Sequence, residues 1–180
     1  MLMDQIPFGG GASVGLMPVD LAGGAKNSLY ANVRNINGKL AIMALIAAGT
    51  ASQNITITLS QAKTAAGGDA KVLNVKEVYF KRGGANFTAA NAATRDKFVK
   101  SAYSTREVPT ASYVSTTDRV ASTNDFLAAI MVSPGDLDQA NGFTYVRVEF
   151  SSPAAAQLGA VWFVPIDPAY EGPNAPSLLA

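Results

Sequence analysis

Cysteine and histidine are both absent from the 180 residues. Without cysteine there is no disulfide framework and no thiolate metal site. Without histidine the commonest general base and the commonest metal ligand are missing. The many serines and threonines have no imidazole to activate them. Charge is also scarce. Charged residues make up 15% of the chain, 14 basic against 13 acidic, for a formal net charge of +1. That near-balance argues against a nucleic-acid groove or a membrane-surface helix, both of which need a basic excess. No apolar run approaches the roughly 20 residues of a membrane-spanning helix. The start, Met1-Leu2-Met3-Asp4-Gln5, lacks the basic and apolar regions of a signal peptide, so the expectation is a product used without secretion.

Apolar residues, by contrast, reach 48%. Soluble domains usually carry roughly 25% charged residues, so this deficit suggests surface covered by neighbouring subunits. The length suits one domain with a real core.

The clearest pattern runs from Lys39 to Ser60. Leu40 to Ala47 is continuously apolar, as in a strand buried on both faces. Asn54 to Ser60 alternates: Ile55, Ile57 and Leu59 on one face, Thr56, Thr58 and Ser60 on the other. With Gly49-Thr50-Ala51-Ser52 between them, the two arms read as a hairpin. Asn37-Gly38 reads as a hairpin turn before it. Further strands are expected over Ser28–Val33, Val72–Lys81, Phe98–Tyr103, Ala111–Ser115, Asp125–Val132, Phe143–Ser151 and Ala160–Ile166. Pro165 implies that the last one ends there or lies at an edge. About eight strands with turn signals between them predict an all-β, antiparallel β-sandwich. Long crossings between some strands favour a jelly-roll-like order over a meander. The expected core is Ile42, Leu45, Ile55, Ile57, Leu59, Phe126, Ile130, Val146, Val148 and Val161.

The expected organisation is a Gly-rich extended N-terminal arm over residues 1–25, a sandwich domain over 26–166 and a Pro-rich C-terminal arm over 167–180. Gly9, Gly10, Gly11, Gly15, Gly23 and Gly24 with Pro7 and Pro18 disfavour both helix and ladder in the first segment. It is nevertheless apolar, as a segment lying along another surface would be; a disordered leader is the alternative. Phe8, Leu16, Met17, Leu178 and Leu179 are the candidate interaction residues on the two arms.

Signals for chemistry are few. Asp136 and Asp138 with Asn141 have a spacing that can ligate Ca²⁺, but they lack the further ligands of an EF-hand loop and read as a solvated turn. Asp167 and Glu171 could suggest a glycosidase pair; surface turn carboxylates are the simpler reading. Gly9-Gly10-Gly11 and Gly67-Gly68 lack the context of phosphate loops. Tyr79, Phe80, Tyr145, Trp162 and Phe163 could form a sugar platform, although Trp162 sits in an apolar run and reads as core. Asn54-Ile55-Thr56 and Asn86-Phe87-Thr88 match glycosylation sequons, which read as chance matches without a signal peptide. No catalytic, metal or cofactor-binding residue is expected.

Three stretches together carry a resemblance. Ala48–Ala62 followed by Ala65–Lys71, Asp136-Leu137-Asp138 followed by Gly142–Val148, and Ala156–Val161 with Asp167-Pro168-Ala169-Tyr170 resemble segments of small tailed-bacteriophage virion proteins. The match spans roughly two-thirds of the chain and consists of turns and strands, so no functional residue carries over. The resemblance implies a non-enzymatic, β-sandwich capsid decoration (cement) protein, assembled in the host cytoplasm. It would sit on the capsid exterior with the major capsid protein as partner and itself as a homotrimer, without nucleic acid or membrane. Two alternatives stand beside it: a tail, collar or baseplate component, and a carbohydrate-binding module of a receptor-binding apparatus.

Overall fold

Alternating apolar residues and short turns fold the chain into two antiparallel sheets packed face to face. The computed structural model describes residues 12–34, 36–50, 54–82, 98–102, 110–119 and 123–168. The strands are β1 (Ser13–Asp20), β2 (Lys26–Asn27), β3 (Ala31–Asn32), β4 (Ile36–Ile46), β5 (Thr56–Ala62), β6 (Lys71–Leu73), β7 (Val78–Arg82), β8 (Val99–Lys100), β9 (Ser112–Val114), β10 (Phe126–Val132), β11 (Tyr145–Phe150) and β12 (Leu158–Pro168). One helical turn, α1 (Thr116–Arg119), precedes β10.

The first sheet has the order β1-β12-β4-β10-β7-β8. The second has the order β2-β11-β5-β6, with β3 also on β11 and β9 also on β5. Both β2 and β3 pair with β11, and both β6 and β9 pair with β5, so each couple acts as one interrupted row. Eight rows then follow in chain order. The first sheet holds rows one, eight, three and six; the second holds two, seven, four and five. That interleaving of two Greek keys is the jelly-roll order. β7 and β8 are an insertion that widens the first sheet beyond β10.

The core lies between the sheets. Leu40, Ile42, Ala44 and Ile46 of β4 face Ile57 and Leu59 of β5, with Phe126, Ile130, Val146, Val148 and Val161 completing the same cluster. Phe126 stacks between Phe80 and Tyr113, at centroid distances of 6.1 and 6.3 Å. Nine of the ten expected core residues are buried. Leu45 is the exception: it is half-buried because it points out of the sandwich from β4.

Tertiary pairing redraws four local expectations. The segments Leu40–Ala47 and Asn54–Ser60 are not a hairpin. β4 and β5 belong to different sheets. Placing their apolar faces opposite each other buries both, which edge-to-edge pairing would not. Asn37-Gly38 is not a turn but part of β4, whose ladder with β12 continues to Pro168↔Ile36. The turn comes earlier, closed by the Ile36 N–H on the Val33 carbonyl at 3.2 Å. Val72–Lys81 is not one strand: β6 and β7 lie on opposite sheets, and Val75 between them bridges to Thr110. Pro165 does not end its strand. It pairs with Leu40 of β4, past Phe163, the last β12 residue that described β1 pairs, so a missing N–H is tolerated there.

The Gly-rich leader is a fifth difference. Residues 13–20 form β1, the edge of the first sheet, and Leu21 is fully buried in the core. Gly15 is a packing residue: a Cβ there would lie 2.3 Å from the Phe163 ring. Gly23 and Gly24, at φ +77° and +130°, make the turn from β1 to β2. The rest of both expected arms, 1–11 and 169–180, lies outside the described residues.

Candidate functional site

The two sheets differ on their outward faces. On the second sheet the alternation is ordinary: Thr56, Thr58 and Ser60 of β5 and Tyr145, Arg147 and Glu149 of β11 point away from the core. On the first sheet the outward positions of the three central strands are apolar apart from Lys39, which lies beside Ile166 near the start of β4. The apolar ones are Ala41, Met43 and Leu45 on β4, Leu127, Ala129 and Met131 on β10, and Leu158, Ala160, Trp162, Val164 and Ile166 on β12. Cross-strand register sets them in rows: Val14–Trp162–Met43–Ala129–Tyr79, then Ala160–Leu45–Leu127, ending on Lys81 of β7, then Val164–Ala41–Met131. An antiparallel sheet with one solvated face normally alternates apolar-in and polar-out. Here the alternation is lost on one sheet only, and no strand or helix among the described residues is layered over that face.

The rim carries compensated charge. Glu77 receives Lys39 Nζ at 2.8 Å on one carboxylate oxygen and the Tyr79 hydroxyl at 2.8 Å on the other. Donating to that carboxylate pushes the Tyr79 phenol up from its ordinary value. Lys81 lies 4.9 Å over the Phe98 ring. Exposed Met17 (66%), Leu158 (53%) and Ile166 (45%) extend the apolar area toward the β1 and β12 side.

Of the candidate arm residues, Leu16 points inward from β1 and packs on the core. Met17 points to solvent. Phe8, Leu178 and Leu179 lie outside the described residues.

The carboxylate pair of the 133–142 turn is engaged by lysines. Asp136 accepts Lys76 Nζ at 2.8 Å and caps its own turn through the Ser133 N–H. Asp138 accepts Lys71 Nζ at 2.5 Å and the Asn141 amide, and these donors, Lys71 foremost, hold its carboxyl below the usual range. Among the described residues no group of three or more Asp or Glu could hold a metal. Glu171 lies outside the described residues. The five aromatics do not share a platform, since Phe80 and Phe163 are in the core and Tyr145 is on the opposite sheet. Asn54 is exposed just before β5; Asn86 lies outside the described residues.

A polar cluster ties the loops at one end of the sandwich. The fully buried Arg119 donates Nε to the Asn124 carbonyl and Nη2 to the Ala47 carbonyl, each at 2.8 Å. Burial pulls its pKa down to about 10, with Asp125 opposing. Ala47 also accepts Gln157 Nε2 at 2.7 Å, and Asp125 accepts the Ala48 N–H at 2.7 Å. Asp118 accepts the hydroxyls of Tyr113 and Ser101. These contacts hold loops together, so the cluster reads as a structural clamp.

The outer face was accessible to sequence reading only indirectly, through the double-sided apolar run of residues 40–47. Arg119 left no such signal, because its partners are backbone carbonyls. Comparison with protein-family models, with curated proteins and with solved structures finds no match for this chain.

Proposed function

We propose that this chain is a non-enzymatic structural protein of a tailed-phage virion, of the capsid decoration type, which binds the outside of the head across joints between major capsid protein subunits. The observation that carries the reading is the apolar outer face of the first sheet, set against the polar outer face of the second: a chain with such a face works within an assembly and not alone. The resemblance to tailed-phage virion proteins supplies the biological setting, and its three stretches fall largely on the sandwich strands and the turns between them. The mechanism is mechanical. At roughly 25 cal/mol per Å², an interface of standard size offers ample gross energy, much of it consumed by ordering. Repetition over a symmetric shell then adds avidity.

The test is cosedimentation of the purified protein with isolated heads and with isolated tails, followed by cryo-electron microscopy of the decorated particle. Saturable binding to heads, with density on the exterior between subunits, is the expected result. Binding to tails alone would move the protein to a tail, collar or baseplate role. Binding to neither would overturn the reading.

A further inference from the structure

We propose that the outer face of the sheet β1-β12-β4-β10-β7-β8 is where a second copy of this chain binds, face to face about a two-fold axis. The inference rests on the structural reading above, assigns the apolar face to self-association and leaves the capsid to the other surfaces of the pair.

Size is the first argument. The five neighbouring strands β1, β12, β4, β10 and β7 hold 42 residues, each covering about 3.3 by 4.8 Å of the face. Together they cover about 700 Å², above the largest apolar patch of a typical monomer and close to the ~800 Å² each partner buries in a standard interface.

Charge is the second. Among the described residues the outer face of these five strands carries Lys39 and Glu77, joined at 2.8 Å, Lys81 over the Phe98 ring and Asp20 beside Leu158, so it bears no net charge and an identical face can be laid over it without an excess of one sign. A partner chosen by charge would need an excess of one sign, which is not there.

Relief is the third. In the rows above Ala129 sits beside Met43, Ala160 beside Leu45 and Ala41 between Val164 and Met131, so hollows and knobs alternate across the face. A two-fold operation brings the knobs of one copy over the hollows of the other, at the ~10 Å spacing of packed sheets.

The edge offers a poorer route. β1 carries Pro18 and two register shifts against β12, and the Gly15 carbonyl is occupied by the Leu29 N–H at 2.8 Å. Each of these features discourages strand-to-strand addition. Self-association therefore goes through the face.

The experiment uses the full chain. Sedimentation equilibrium across micromolar to near-millimolar concentration gives the molar mass. The single tryptophan, Trp162, lies within the face and reports burial by its emission. The wild type is expected as a pair of copies whose Trp162 emission shifts to the red on dilution. Met43→Glu at the centre should weaken association by about 100-fold or more, as loss of an interface centre does. Should Met43→Glu fail to fold, the double variant Leu158→Glu, Ile166→Glu at exposed positions decides, with a cooperative melt as the check on folding. Thr58→Glu, on the outer face of the other sheet, should associate like the wild type.

A wild type that stays monomeric overturns the proposal. So does a dimer or larger assembly that survives in the folded face variants, and so does a trimer. A monomer that binds heads, and loses that binding in the same variants, also overturns it and assigns the face to the shell. A dimer through this face that binds no head supports the inference and sinks the proposed function alone.

Discussion

At the scale of single residues, the molecule is held by a few side chains whose surroundings leave no room for change. Ile57 is fully buried between the sheets. Ile57→Ala should cost about 2–5 kcal/mol in denaturant melts; a loss under about 0.5 kcal/mol would mean that β5 faces the other way. Gly15→Ala places a methyl group where the Phe163 ring already stands, and should cost about 1–3 kcal/mol through forced repacking. Tyr113 is fully buried, and its phenol is pushed well above its ordinary value by burial first and by Asp118 second. A group whose pKa is raised by folding holds its proton more tightly in the folded state. Its stability contribution is full below about pH 10, where the unfolded phenol titrates, and is lost as pH rises beyond that. Tyr113→Phe should therefore flatten the fall of stability above pH 10 while costing about 1 kcal/mol at neutral pH. Thermal melts from pH 7 to 11 check both parts. Arg119→Met should destabilise by about 2–4 kcal/mol, since it strips a charged donor from the Asn124 carbonyl.

At the scale of elements, β1 shows how composition can mislead about order. Glycine and proline suggest an arm, yet Ser13–Asp20 pairs with β12 from Phe163 to Leu158. Its glycine at position 15 permits close packing. Deleting Met1–Ala25 removes that strand and the buried Leu21, so the truncated protein should melt at a clearly lower temperature than the full chain. Equal melting temperatures would show that β1 contributes nothing to the sandwich. The turn at 133–142 makes the opposite point. Its two aspartates read as a turn and are one, held by Lys76 and Lys71. Chelation should leave the melting temperature unchanged, whereas a stoichiometric bound Ca²⁺ with a large shift on its removal would reverse that reading.

At the scale of the whole molecule, the first and last described strands are neighbours, and closing that pair joins Ser13 to Phe163. Almost every ladder joins segments far apart in sequence. Loop-closure entropy is then met before the contacts that offset it form, so refolding should fall in the millisecond-to-second range or slower. Stopped-flow refolding that finishes within tens of microseconds would contradict the topology.

Much of the sandwich was legible in the residues because burial imposes a period of two. Ile55, Ile57 and Leu59, and Val146, Val148 and Phe150, declare their inward faces directly. The continuous apolar run of Leu40–Ala47 likewise announced a strand with two apolar faces. What residues alone could not decide is which strand lies beside which. Pairing partners are chosen across the whole chain, by which faces can be buried together, and backbone hydrogen bonds carry no side-chain identity. So Lys39–Ser60 suggested a hairpin while the structure places its two arms on opposite sheets. The second apolar face of β4 became meaningful only when β12 and β10 were found on either side of it, turning three separate apolar runs into one surface.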